Sequence, residues 1–464
     1  MASKTRLEKD SLGTQKIPRE AYFGIQSARA FENFAISAWK AHPNYLKSIV
    51  LIKKAAAKVN TNLKCLSGRK GKIIERVCNE ILKGKFSEEF KLDVFQAGAG
   101  TSQNMNVNEV IANRANEILG YQKGTYAFIH PNDDVNCSQS TNDVIPTAIR
   151  LATLQGIKDF LPILQKLIDS LAKKEREFKK IIKSGRTHLQ DATPLFLGQE
   201  FSGYTQILRN HHRKIKEASR ELWLIGLGGT AVGTGMNSPP LYRKKVAKLL
   251  SALSGFPLKP APNFFEAMQS LGPFCHVSSC AKNLALDLIK ISNDLRLLAS
   301  GPRTGLAEIE LPARQAGSSI MPGKLNPVIG EMLSMVCFFV CGLDHSVGLS
   351  SQAGHLELNV MLPLLGFALP WTFTLLQNAL EAFDSFCIQG IRAHKEKCRF
   401  YAENSVAVAT VLAPLLGYAK TAEIVKKAIE TGESIRKILL AEKIFSAKAI
   451  EKLFDLSHLT KPNL

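Results

Sequence analysis

The sequence predicts a mainly α-helical protein, and three observations carry that expectation. Leu154, Ile157, Leu161, Leu164, Ile168 and Leu171 recur at three- and four-residue steps. Val277, Cys280, Leu284, Leu288, Ile291, Leu295 and Leu298 repeat the stepping. Such spacing returns each set to one side of a 3.6-residue helix, giving long apolar seams that pack against other helices. Thirdly, period-two patterns, the mark of a half-buried strand, are few and short.

In chain order, the first seam contains Pro162, which lacks an N–H and predicts a kink or local distortion. Further helical stretches follow at about 196–223, 328–349 and 358–388. From Leu358 to Leu380 there is no charged residue. Pro363, Pro370 and the lack of a basic anchor at either end make this a buried core helix rather than a membrane span. From about 393 the helical patterns shorten, to 419–430 and 433–442, with Gly417 ahead of the pair and Gly432 between them. The expected organisation is an N-terminal domain over 1–141, a central helical-bundle domain over 142–392 and a small C-terminal helical domain over 393–464.

An apolar fraction of 45% with 22% charged residues, in 464 residues, excludes a disordered chain. Lys and Arg number 60 against 40 Asp and Glu, a formal charge of +20, and a positive field recruits polyanions. The densest basic run, KKEREFKKIIK at 173–183, carries Glu175 and Glu177 on a helical pattern, so it reads as a solvated helix face. With no zinc-finger spacing or aromatic RNA-binding signature, a nucleic-acid partner is not expected. The nine cysteines are scattered without a CxxC pair, the usage of free thiols in a reducing compartment. MASKTRLEKDSLG has no apolar signal region, so the expected location is cytoplasmic.

Five polar, glycine-containing breaks stand out, at 96–106, 130–143, 184–192, 226–240 and 315–327. They are richer in Ser, Thr, Asn, His and Lys than turning a chain requires, and loops on a rigid scaffold are where binding residues gather. The last contains GSSIMPGKLNP at 317–327, with two hydroxyls, glycine-freed backbone N–H groups, the Lys324 cation and the Asn326 amide. Such groups bind and polarise a carboxylate; the competing reading is an ordinary turn with Lys324 in water. GLGGTA at 226–231 meets only a relaxed dinucleotide fingerprint and follows a helical pattern, so no nucleotide site is expected.

GSSIMPGKLNP is similar to the GSSxMPxKxNP signature of the aspartase/fumarase superfamily. The other breaks resemble that family's remaining characteristic regions in order, from TRLEKDSLGTQKIPREAYFGIQSARAFENF to the C-terminal domain. The resemblance implies a three-domain fold whose long central helices assemble into the twenty-helix core of a homotetramer, with each active site built from three subunits. It also implies anti elimination of a C–N or C–O bond from a small dicarboxylate, mostly releasing fumarate, with no cofactor and no metal.

Removing a proton beside a carboxylate makes a dianionic aci-carboxylate, so donors must be aimed at that group. The resemblance assigns this to Thr101, Ser140, Thr141 and Ser319, and the second carboxylate to Lys324, Asn326 and Thr187. Residue type alone points to His188 as the base. The resemblance points instead to Ser318, on a mobile loop, acting as an alkoxide whose anion backbone N–H groups and Lys324 would stabilise. His188 and Asn142 then lie beside the leaving group, while His211, His212, His276 and His394 are expected in structural roles. HPNDDVN looks like the secondary carboxylate region of class II fumarases, through His130, Asn132 and Asp133; metal ligation by His130, Asp133 and Asp134 is not expected.

Within the superfamily, LGTQKIPREAYFGIQSARAFENF, GAGTS at 98–102, STN at 140–142, LPARQ at 311–315 and HLELNVM at 355–361 resemble the aspartases. HPNDDVN and PNFFEA at 262–267 resemble the fumarases, and RTHLQDA at 186–192 occurs in both. Position 362, acidic in aspartases and basic in fumarases, is the neutral Leu362. The expectation is release of ammonia from L-aspartate, with malate/fumarate interconversion as the alternative. A relative that kept the fold and lost activity is a third reading, against which Ser318, Lys324, Asn326, Thr187 and His188 all stand intact.

Overall fold

A computed structural model describes residues 4–462, so the first three residues of MASKTRLEKDSLG lie outside the described residues. A hairpin of β1 (Thr5–Asp10) and β2 (Gly13–Pro18) leads into α1 (Ile25–Asn33), α2 (Pro43–Asn62), α3 (Gly68–Leu82) and α4 (Thr101–Ile118). The long α5 (Thr141–Glu177) is followed by a second hairpin, β3 (Ile182–Thr187) and β4 (Gln190–Phe196). Then come α6 (Leu197–Ala218), α7 (Tyr242–Ser254), α8 (Phe264–Gln269), α9 (Gly272–Leu298), α10 (Val328–Gln352) and α11 (Leu362–Phe386). Shorter helices close the chain: α12 (Lys395–Asn404), α13 (Ala413–Leu416), α14 (Tyr418–Thr431), α15 (Ile435–Ala441) and α16 (Ala447–Leu453). The protein is mainly helical, as its periodicity predicts.

The chain divides into two compact units. One comprises Met1–Pro162, Arg213–Ala285 and Cys337–Gln377; the other comprises Ile163–His212, Leu286–Val336 and Asn378–Leu464. The dividing points fall inside α5, α6, α9, α10 and α11.

Both predicted seams are buried. On α9 every member from Val277 to Leu298 is buried, and on α5 only Leu161 is partly exposed. Pro162 lies within an uninterrupted α5. Leu362, the neutral residue of the NVMxP stretch, is the first residue of α11 and is buried, which favours an apolar side chain there.

Two expectations need correction. The polar stretch 96–106 is only half a break, because α4 begins at Thr101 and buries Asn104, Asn106, Asn108, Asn113 and Asn116. These amides replace water as partners for neighbouring chain: Asn113 donates to the Tyr22 carbonyl, and Asn116 bonds both the carbonyl and the N–H of Ile129. The basic run is not a wholly solvated face either. Lys174 is buried and donates to the Ile391 carbonyl, and Lys183 is buried among carboxylates, so two of its cations are internal. The nine cysteines are all free.

The second unit has a C-terminal core of Leu412, Ile424, Ile435, Leu439, Ile450 and Phe454. α10 is long and apolar enough to cross a membrane by length and composition, with Met335, Phe338, Phe339 and Leu349 exposed. The seam of α9 gives a stability test. Leu288→Ala is expected to lower the unfolding free energy by about 2–5 kcal/mol, the cost of lost transfer energy plus a cavity, read by guanidinium denaturation.

Candidate functional site

In the first unit the candidate residues gather where α4 and α5 begin. Thr101 opens α4 after a loop in which Ala99 (φ 58°) and Gly100 (φ 83°) are both left-handed. The loop is fixed by the Ala99 N–H, which donates to the Val360 carbonyl at 2.8 Å. A Cβ on Gly98 would lie 2.9 Å from that of Val360, so the approach needs glycine.

Ser140 caps α5. Its hydroxyl accepts from the Asn142 N–H at 3.2 Å, while the Asp143 carboxylate accepts from the Ser140 N–H at 3.0 Å. This is a variant of the capping box in which the hydroxyl takes the N–H one residue before Asp143. The other oxygen of Asp143 accepts from the N–H groups of Gly228 and Thr230, both at 2.9 Å. Burial pushes the Asp143 carboxyl up to about 6, against the pull of these donors. Asn142 donates to the Ala231 carbonyl at 2.9 Å, and Thr141 accepts from the Asn104 amide at 3.0 Å. Ser140, Thr141 and Asn142 are thus held together at the positive end of a long helix dipole, with Thr101 at the start of the neighbouring helix.

In the second unit Thr187 and His188 sit at the tip of the β3–β4 hairpin. Thr187 pairs with Gln190, leaving a two-residue turn, His188 (φ 55°) and Leu189 (φ 60°). Both are left-handed, as a type I′ turn requires, yet neither is glycine, at about 1–2 kcal/mol each. The hairpin is anchored by Glu308, which is fully buried and lies 2.9 Å from Arg186 and 3.2 Å from Lys183; Lys183 also meets Glu200 at 2.7 Å.

The signature loop also lies in the second unit. The Ser318 hydroxyl oxygen accepts two backbone N–H groups, from Met321 at 3.0 Å and Ile320 at 3.2 Å. The Gly317 N–H donates to the Lys324 carbonyl at 2.8 Å, and the Asn326 amide donates to the Gly317 carbonyl at 2.7 Å. The loop is therefore closed on itself. Ser319 and Lys324 are exposed on it, as are the apolar Ile320, Met321 and Leu325.

His130 accepts the Asp133 N–H at 3.2 Å, so its ring caps the turn Pro131–Val135, and Asn132 and Asp133 are exposed. Asp134 pairs with Lys70 at 2.8 Å. Of the other histidines, His211 meets Asp287 at 2.6 Å and His276 meets Glu221 at 2.7 Å.

A family model described as lyase matches residues 13–342, and one described as fumarase C C-terminus matches 408–461. The chain belongs to the aspartase/fumarase superfamily. It is 44% identical to the aspartate ammonia-lyase of Bacillus subtilis (strain 168) over 459 residues, covering 99% of this chain and 97% of that protein. It is 43% identical to that of Helicobacter pylori (strain ATCC 700392 / 26695), covering 99% and 98%. Among solved structures, a fumarate lyase:delta crystallin from Brucella melitensis, bound to cobalt, is similar with a TM-score of 0.94 and 45% identity, covering 99% of this chain and 100% of that one. A class II fumarase from Schistosoma mansoni has a TM-score of 0.96 at 35% identity, covering 99% and 100%.

Superfamily motifs located the hydroxyls and the loop but not the residues that hold them. Asp143 had a readable signal, since Ser140-Thr141-Asn142-Asp143 fits the capping-box pattern. Glu308 had none, because its role rests on cations more than a hundred residues away in sequence. Glu308→Gln removes the carboxylate that faces Arg186 and one of the two that face buried Lys183, whose contact with Glu200 remains, and is expected to lower stability by about 1–3 kcal/mol. Thermal denaturation against Glu310→Gln, an exposed neighbour expected to change stability by less than about 0.5 kcal/mol, checks this.

Proposed function

We propose that this protein eliminates ammonia from L-aspartate to give fumarate, with Ser318 as the base. Full-length identity of 43–44% to aspartate ammonia-lyases carries the choice of substrate, and the environment of the Ser318 oxygen, which two backbone N–H groups already face, carries the choice of base. A serine is a poor base because its anion is unstable in water. Fixed donors aimed at the oxygen lower that cost without reorganisation when the proton moves.

The alkoxide takes a proton from the carbon beside the β-carboxylate, and the C–H electron pair passes into that carboxylate as an aci-carboxylate. Thr101, Ser140, Thr141 and Ser319 donate to it, and each hydrogen bond strengthens as charge builds. Thr187, Lys324 and Asn326 hold the other carboxylate. Asn326 does so with one amide hydrogen already committed to the Gly317 carbonyl. His188 and Asn142 flank the amino group. The C–N bond then breaks, its pair goes to nitrogen, and the group that was –NH3+ leaves as ammonia. No acid is needed for that departure, whereas hydroxide leaving from malate would require one.

The donors and the base lie in two sets, Thr101 with 140–142 in one unit and Thr187, His188 with 318–326 in the other. Each set alone lacks part of the chemistry, which fits active sites assembled from three subunits of a homotetramer. The exposed Met335, Phe338, Phe339 and Leu349 of α10 fit a helix covered by other copies, in a cytoplasmic enzyme rather than in a membrane. The segments 1–141, 142–392 and 393–464 would be its three domains, and the exposed Asn132 and Asp133 with His130 a secondary carboxylate site.

The test follows fumarate absorbance with L-aspartate and L-malate supplied separately. Fumarate from aspartate is expected; fumarate from malate alone sinks the reading. Ser318→Ala is expected to lower kcat by about 10²–10⁴ with little change in KM, and a variant retaining most of its turnover refutes the base assignment.

A further inference from the structure

Behind Thr141 lies a chain of amides, Asn104 and Asn108 buried and Asn136 half-buried, that ends on the buried amine of Lys53, and no step of the elimination uses it. Lys53, on α2, is fully buried and donates to the side-chain carbonyl of Asn136 at 2.8 Å. The same oxygen accepts from the amide nitrogens of Asn104 and Asn108, both at 3.3 Å. The nitrogen of Asn136 donates to the Gln139 carbonyl at 3.2 Å. A backbone carbonyl can only accept, so the Gln139 carbonyl fixes which way the Asn136 amide faces, and the Lys53 amine meets the oxygen that this leaves.

That orientation propagates. Asn136 presents an oxygen to Asn104, which must answer with its nitrogen, and the other hydrogen of that nitrogen donates to the Thr141 hydroxyl at 3.0 Å. The Asn104 carbonyl oxygen is left buried without a partner. The opposite flip would set it against the Asn136 oxygen, so the network retains the unpaired acceptor. With its oxygen accepting from Asn104, the Thr141 hydroxyl has its own hydrogen free to donate elsewhere.

We infer that Asn104 and Asn136, held by Lys53, are positioning residues that set the polarity of the Thr141 hydroxyl so that it meets the substrate carboxylate as a donor. The inference rests on the reading that Thr141 contacts that carboxylate. A simple space-filling role for the amides makes no demand on hydrogen-bond direction; a polarity relay does.

Asn104→Asp separates the two. A carboxyl has at most one hydrogen, which the Asn136 oxygen takes, so the oxygen facing Thr141 becomes an acceptor and turns the hydroxyl away from substrate. KM and kcat for L-aspartate are measured on the full-length enzyme for Asn104→Asp, Thr141→Val and the double variant. Each single substitution is expected to raise KM at least tenfold, and Asn104→Asp to add less than twofold in the Thr141→Val background. Asn104→Leu, which supplies no acceptor, and Lys53→Met are expected to give smaller rises that also vanish in that background. Asn104→Leu serves if the Asp variant fails to fold.

If Thr141→Val leaves KM unchanged, the carboxylate reading itself fails and the relay with it. If Thr141→Val raises KM while the Asn104 variants do not, the relay alone is overturned. Effects of Asn104 or Lys53 substitutions that persist undiminished without the Thr141 hydroxyl assign those residues to structure and likewise overturn it.

Discussion

The carboxylate of Asp143 fixes the geometry on which the first set of functional groups depends. It is fully buried, and three backbone N–H groups, from Ser140, Gly228 and Thr230, point at it. Burying an acid in its charged form costs free energy, which is why its carboxyl is pushed up to about 6, and the donors offset part of that cost. What results is a rigid join between the first turn of α5 and the glycine turn at 226–231. Ser140, Thr141 and Asn142 occupy that one turn, so a single anchored group aligns two hydroxyls and an amide.

The same principle recurs at the other loops that carry chemistry. Three of these loops contain a non-glycine residue in the left-handed region, Ala99 before Thr101, Thr230 against Asp143, and His188 with Leu189 in the hairpin turn, whereas in the signature loop only Gly323 is left-handed. Such backbones persist only where neighbours over-determine them. The neighbours are identifiable: the Val360 carbonyl for Ala99, the Asp143 carboxylate for Thr230, and the Glu308 cluster for the strand that leads into His188. The strained backbone of these loops is carried on the apolar seams of α5 and α9, which supply the scaffold.

This division explains what was legible in the sequence. Helical seams are local and apolar, so Leu154 to Leu171 and Val277 to Leu298 declare themselves by spacing alone. The candidate hydroxyls were reached only through motif resemblance, because a Ser or Thr in a polar break looks like any turn residue. Least legible were buried polar groups. Lys53, Asn104 and Glu308 break the rule that polar side chains face water, and their partners lie in other segments, where no periodicity records them. The basic run at 173–183 misled for the same reason, since Lys174 and Lys183 act as internal cations rather than as a solvated face.

The signature loop shows why its residue types and spacing go together. Ser318 is a useful base only if its oxygen is faced by donors, and a tight turn brings the N–H groups two and three residues ahead, from Ile320 and Met321, onto it. That turn must close, and it does so through the Gly317 N–H and the Lys324 carbonyl. A Cβ at position 317 would lie 2.6 Å from that carbonyl oxygen, so the closure needs glycine. Asn326 then locks the Gly317 carbonyl from the far side. The Lys324 backbone is thus part of the clasp while its ammonium remains exposed, so closing the loop also fixes where the cation is displayed. One short hydrogen-bonded ring positions the Ser318 hydroxyl, the N–H groups that face it and the Lys324 ammonium together, and for that reason the motif is contiguous while the other candidate residues are dispersed.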